Sequence, residues 1–300
     1  MKRIEIITDS NSGITQKEGQ ELGIVVVPMP FTINGEEYLE DITLTQEKFY
    51  EHLKDKATNV STSQPSIAYV ESLWDNALET CESVIYIPMS SGLSNSCETA
   101  LTASKKPEYD GKVFVVDNKR ISVTQRQSVL DAMQLRDAGY SAKEIHDILI
   151  ETMSYSDIYI TLDTLYYLKK GGRITPAAAA LGTMLRLKPI LQIEGEKLDK
   201  FKMRNRTMEN AMEIMMQANE DNINGYLKDI DGRVDNIHFA IAYSGTDRSL
   251  PEKFGEMIKE RFKVSEVTIN PLSLSVSCHI GDGALAMAVT KALPDKYIKE

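Results

Sequence analysis

Residues 83–100 read SVIYIPMSSGLSNSCETA. The opening run SVIYIP (83–88) is rich in β-branched and aromatic residues and too short for a helix, which predicts a buried strand. PMSSGLSNSCETA (88–100) then carries the chain from the strand end through serines, Gly92 and Asn95 into a helix. A strand feeding a helix through a small polar loop is half of a βαβ unit.

The same alternation extends in both directions. RIEIITD (3–9), IVVVP (24–28), KVFVVD (112–117), DIYITL (157–162), RLKPILQI (186–193), NIHFAIAY (236–243) and EVTINP (266–271) are strand-like runs separated by helix-length segments. That order predicts an α/β fold: two α/β domains with mostly parallel sheets and a ligand cleft between them. The expected division is an N-terminal domain over 1–155 and a C-terminal domain over 156–300. PFTINGEEYLE holds Asn34-Gly35 between extended residues, which predicts a hairpin excursion near 29–40 beside the first sheet.

Composition narrows the function. Of 300 residues, 42% are hydrophobic and 26% charged, the balance of a globular chain with a sizeable core. A formal net charge of −10 argues against nucleic acid or an anionic bilayer as a constant partner, since both need a basic footprint. The three cysteines, Cys81, Cys97 and Cys278, form no C-x-x-C pair, so neither a disulfide framework nor a zinc site is expected. MKRIEIITDS runs directly into a strand, and no run of about eighteen apolar residues occurs, so a cytoplasmic protein is expected.

Catalytic signals are sparse. Of four histidines, His52, His146 and His238 lie in patterns that read as surface or core, leaving His279. There is no G-x-S-x-G elbow, no Ser-x-x-Lys pair and no P-loop. Gly281-Asp282-Gly283-Ala284-Leu285-Ala286 satisfies G-x-G-x-x-A, but no further βαβ unit follows to supply a ribose partner, so no cofactor is expected. The carboxylates Asp9, Asp41, Asp117 and Asp163 sit near strand or loop ends and read as caps rather than as a metal cluster.

Three hydroxyl- or glycine-rich junctions remain: STSQPS (61–66), the loop 88–100, and CHIGDGALAMAV (278–289), read as a loop entering a helix. Each would place neutral donors at a helix N-terminus, where an anion is favoured. Ser66, Ser90 or Ser94 also reads as a plain helix cap. The Met- and Ala-rich runs PAAAALGTMLRL (176–187) and MENAMEIMMQA (208–218) are candidates to line an apolar tail, and equally read as ordinary helix core.

Taken together and in order, ITDSNSGI (7–14), TSQPS (62–66), SSGLS (90–94), TLYYLKKGGRI (164–174), LKPIL (187–191) and CHIGDGALA (278–286) resemble the DegV family of fatty acid-binding proteins. The resemblance covers nearly the whole chain. It implies a long-chain fatty acid held in an interdomain tunnel, its carboxylate bound by Thr62, Ser94 and His279, with Ser63, Ser91, Gly92 and Gly281 of the same motifs alongside. It further implies that Arg173 of GGRI serves transfer to a partner, the catalytic subunit of a fatty acid kinase, which would make the acyl phosphate. No catalytic residue, no metal and at most transient membrane contact are implied for this chain. The chain departs from the family pattern at Asn95-Ser96, at Thr124-Gln125-Arg126 and at Asp282. A serine-dependent acyl hydrolase using Ser94 or Thr62 with His279, or a lipid-responsive sensor, are the rival readings.

Overall fold

The computed structural model describes residues 4–55, 58–176, 178, 187–194, 197–202, 205–230 and 236–298. The chain sorts into two compact units, one of Met1–Thr45, Asn59–Ser154 and Leu293–Glu300, the other of Gln46–Thr58 and Tyr155–Ala292. These are not the contiguous halves 1–155 and 156–300. A helix from early in the sequence packs with the second unit, and the C-terminal tail packs with the first, where Leu293 joins a buried cluster.

In the first unit, β1 (Ile4–Asp9), β2 (Val25–Val27), β6 (Ser83–Ile87) and β7 (Val113–Val115) form a sheet in the order β2-β1-β6-β7. All three pairings are parallel, as the sequence predicts. Side chains alternate across it with the period-2 rule. Ile6, Ile85 and Ile87 face Val129, Ala132 and Leu135 of helix Ser122–Asp137 and Ile145 and Leu149 of helix Ala142–Glu151. Ile7, Val84 and Tyr86 face the other way, onto Val70 and Trp74 of helix Ile67–Leu78 and Cys97 and Ala100 of helix Ser96–Ala103. Covered faces on both sides explain why these strands are mostly apolar on both faces.

β3 (Pro30–Ile33), β4 (Glu36–Leu39) and β5 (Val60–Thr62) form a small antiparallel sheet in the order β4-β3-β5. The hairpin turn is Asn34-Gly35, both at positive φ, 52° and 91°. This is the conformation that Asn-Gly adopts at least cost.

The second unit departs from expectation. β8 (Ser156–Thr161), β9 (Ile190–Glu194), β10 (Lys197–Lys202), β11 (Ile237–Tyr243), β12 (Thr268–Pro271) and β13 (Leu285–Lys291) form one sheet in the order β10-β9-β8-β13-β11-β12. Only β11 and β12 pair in parallel; the other four pairings are antiparallel. The α/β class stands, but this sheet is mixed and mostly antiparallel. An apolar run reports burial on both faces and carries no information on strand direction.

LAMAVTK departs furthest from expectation. Its Ala, Leu and Met favour a helix, yet residues 285–291 are the buried strand β13, between β8 and β11. Pairing on both edges overrides intrinsic propensity. MENAMEIMMQA does form a helix, Met208–Asn224, whose Met212, Met215 and Met216 pack with Phe239, Ile241, Phe254 and Met287. Those methionines are core of the second unit. The other tail candidate, 176–187, falls outside the described residues apart from 176, 178 and 187.

Candidate functional site

In the first unit the hydroxyl-rich loop Ser90–Ser94 starts where β6 ends, at the carboxyl edge of the parallel sheet, where open α/β sheets take ligands. Its backbone amides are all engaged. Met89 N–H donates to Asp9 Oδ2 at 2.8 Å, Ser90 N–H to the Arg120 carbonyl at 3.0 Å, and Ser91 N–H to Asp117 Oδ1 at 3.2 Å. Gly92 N–H donates to Ser90 Oγ at 3.2 Å, while the amides of Leu93 and Ser94 donate to the Ser90 carbonyl at 3.0 and 3.2 Å. A loop that has spent its amides in this way can offer a ligand only side-chain hydroxyls.

Two carboxylates hold the loop, Asp9 fully buried and Asp117 half-buried. Asp9 is fully buried at the end of β1 and receives Met89 N–H, Asn11 N–H at 3.0 Å and Gln125 Nε2 at 3.0 Å. Burial pushes its carboxyl above the ordinary range despite these donors. At the end of β7, Asp117 pairs with Lys119 at 2.8 Å, and Lys119 Nζ also donates to Ser91 Oγ. Burial opposes ionisation of Asp117, but the hydrogen bonds from Lys119 and Ser91 outweigh it and hold its carboxyl below the ordinary range. The cap reading of Asp9 is correct as far as it goes, since it caps the turn Ser10–Ser12. Its grip on the serine loop was not visible, because Met89 is 80 residues away.

The STSQPS cluster divides by role. Ser61 and Thr62 are strand residues of β5, with Thr62 opposite Phe31 and partly buried. Ser61 Oγ meets Thr32 Oγ1 at 2.5 Å on the adjacent strand. Ser63 N–H donates to the Pro30 carbonyl at 3.1 Å, and its side chain is exposed. Ser66 caps helix Ile67–Leu78 by accepting Tyr69 N–H at 3.3 Å, as expected. Gln64 Oε1 accepts a long 3.4 Å bond from Thr99 of helix Ser96–Ala103, so TSQPS abuts the helix that follows SSGLS. Ser94 Oγ accepts Ser96 N–H at 3.2 Å and shares a 3.0 Å hydrogen bond with Ser96 Oγ.

The third junction is corrected. His279 lies in the last turn of helix Leu274–Ile280, and the glycines after it lead into β13, not into a helix N-terminus. No helix-start amides are available there to attract an anion. The imidazole instead faces helix Tyr166–Gly171: a Cβ at Gly171 would overlap its Nδ1. Reciprocally, Gly281 has φ +80°, and a Cβ there would stand 2.6 Å from the Tyr167 ring. The two helices are thus in contact through a pair of glycines, each facing a ring on the other. Gly172 closes helix Tyr166–Gly171 in the left-handed conformation with Lys169 and Lys170 in its last turn, and Arg173 donates from Nη1 to the Gly171 carbonyl. Burial first, and the positive charge of Arg173 second, lower the His279 imidazole to about 4. It is a neutral ring at physiological pH.

The departures at Gln125-Arg126 and at Asp282 have structural partners. Gln125 is buried and donates from Nε2 to Thr8 Oγ1 at 3.2 Å, Asp9 Oδ1 and the Ile87 carbonyl at 3.1 Å. Arg126 pairs with Glu18. Asp282 is exposed, accepts Gly283 N–H at 2.7 Å and abuts Gly245, where a Cβ would overlap its Oδ1. Among the described residues, no group of carboxylates, histidines and cysteines is placed to hold a metal ion, and no helix is long and apolar enough to cross a membrane.

Comparison with known proteins extends these observations. Residues 3–292 match the family described as "Uncharacterised protein, DegV family". A DegV domain-containing protein of Staphylococcus aureus is 27% identical over 286 residues, 95% of this chain and 98% of that protein. A solved structure of a DegV family protein from Thermus thermophilus, described by its fatty acid binding, is 27% identical and superposes with a TM-score of 0.85 over 97% of this chain and 100% of that one. DegV of Bacillus subtilis shares the fold, with a TM-score of 0.84 over 97% of this chain and 100% of its own at 24% identity.

Proposed function

The chain belongs to the DegV family, and from that membership we propose that it binds one long-chain fatty acid, the carboxylate being held by the hydroxyls of Thr62 and Ser94 and the imidazole of His279. The observation that carries this reading is the full-length likeness to the Thermus thermophilus fatty acid-binding protein. The geometry supports it. The SSGLS loop keeps hydroxyls and no spare amides, which suits recognition of a head group better than an oxyanion hole for acyl hydrolysis. The His279 ring, held neutral, carries one donor nitrogen and one acceptor nitrogen. Ser63 supplies a further exposed hydroxyl, while Ser91, Gly92 and Gly281 act by shaping the loops that carry the contacts.

Magnitudes assign the tasks. Burying about fourteen methylenes at roughly 0.8 kcal/mol each supplies on the order of 10 kcal/mol before ordering costs. Hydrogen bonds to a charged acceptor add roughly 1.5–3 kcal/mol each, enough to orient the acid and to reject an ester. The tail gives affinity and the head contacts give selectivity.

We further propose that the bound acid is presented to a partner kinase. A carboxylate oxygen attacks the γ-phosphorus of ATP, the bond from that phosphorus to the bridging oxygen breaks, and ADP leaves. The kinase supplies ATP and magnesium, and Arg173, at the end of its helix, serves the transfer. Native mass spectrometry of the purified protein, followed by titration with palmitate and with methyl palmitate, tests the binding. A bound or acquired fatty acid with the ester excluded is expected; a protein that carries none and takes up none overturns the reading. ATP-dependent acyl phosphate formation by this chain alone would remove the need for a partner.

A further inference from the structure

The helix that carries His279, Leu274–Ile280, has seven residues. A helix so short does not hold its own orientation in water, so the direction of the imidazole depends on whatever grips the helix. One grip is helix Tyr166–Gly171, which meets the ring itself. A second comes from helix Gln46–Lys54, whose flanking chain segments belong to the first unit while it packs with the second.

That helix reaches the His279 helix with two donors. The Tyr50 hydroxyl donates to Ser277 Oγ at 2.9 Å, with Tyr50 4% exposed and Ser277 fully buried. Gln46 Nε2 donates to the Leu272 carbonyl at 3.3 Å, just ahead of Ser273, which caps the His279 helix by accepting Val276 N–H at 3.2 Å. Phe49, also fully buried, meets the Tyr50 ring edge-on at 5.1 Å between centroids and restricts where the phenol can lie. Ser277 and His279 are two positions apart, hence about 200° around the helix axis. Tyr50 therefore grips the side of the helix away from the imidazole.

We propose that Tyr50 is a positioning residue for His279: through Ser277 it fixes the rotation of the short helix and so the direction in which the ring is presented. This rests on the reading of His279 as a head-group contact. Packing alone tolerates small rotations, whereas a hydrogen bond between two buried hydroxyls is directional and costly to leave unmade.

Tyr50→Phe keeps the ring and its contact with Phe49 and removes the hydroxyl that donates to Ser277. Two measurements test it: affinity for the fluorescent fatty acid cis-parinaric acid, and the His279 imidazole resonances of the lipid-free protein. The expected result is roughly five- to tenfold weaker binding, together with shifted His279 resonances. Ser277→Ala should reproduce both effects, and the double variant should be no worse than the more affected single one. Unmoved His279 resonances in a folded Tyr50→Phe protein overturn the proposal; if that variant does not fold, Ser277→Ala decides by the same criterion. Should the wild-type protein fail to bind the probe, the fatty acid reading falls, while the resonance shifts still judge the role of Tyr50 separately.

Discussion

The His279 imidazole occupies the space that a side chain on Gly171 would need, so the absence of a Cβ at one residue sets the position of the ring at the other. Gly171→Ala should displace the imidazole and weaken fatty acid binding by an order of magnitude or more. Gly172→Ala is the control. It meets nothing within 4 Å but sits at φ +70°, so it should cost about 1 kcal/mol of stability and leave the binding of folded protein unchanged. Calorimetric titration with palmitate and thermal melts of both variants separate the two effects; equal affinity in Gly171→Ala and wild type would refute the first.

The lowered His279 basicity has a definite sign in stability. The unfolded chain takes up a proton near 6.5 and the folded ring resists until about 4. Stability present above pH 6.5 is therefore lost as pH falls through that window, by at most about 3 kcal/mol, and levels off below it. Denaturant unfolding at pH 7 and pH 5 should show the loss, and His279→Gln should lack this part of it. Arg173→Gln removes one lowering influence and should bring the imidazole titration, followed by NMR, back toward 6.5.

Gln125 gives the buried Asp9 carboxylate one of its donors. Gln125→Leu should destabilise the protein by about 1–3 kcal/mol at neutral pH. The loss should shrink as pH falls, because a protonated Asp9 needs fewer donors. An equal loss at both ends of a pH series of unfolding curves would mean that Gln125 acts through packing and its bonds to Thr8 and Ile87, not through the Asp9 charge.

The hydroxyls of the two serine-rich loops should part company under mutation. Thr62→Ala and Ser94→Ala should each lower palmitate affinity on the order of tenfold while the fold persists. Ser66→Ala should instead cost about 1 kcal/mol through its lost cap and leave binding alone. Unfolding of the Thr62→Ala, Ser94→Ala double variant would assign those hydroxyls to structure.

Much of the first unit was legible because its signals are local. Short β-branched apolar runs gave β1, β2, β6 and β7, Asn34-Gly35 gave the hairpin, and Ser66 gave a cap within three residues of its partner. β5 was hidden inside a polar stretch, since Val60–Thr62 is a strand only by virtue of pairing with β3. In the second unit, the segment after His279 was misread because Ala, Leu and Met carry a helical preference that pairing with β8 and β11 overrules.

By itself the sequence determined the α/β class, the hydroxyl loops at the ends of strands, the missing catalytic signals and the family motifs. Each is written in residue type and short-range spacing. Only the tertiary structure decided that the second sheet is mostly antiparallel, that Asp9 and Asp117 hold the SSGLS loop, and that Gly171 and Tyr50 meet the His279 helix, Tyr50 through Ser277. The reason is physical: strand direction and the partner of a buried polar group are set by which distant segments pack together, and local propensity does not encode that choice.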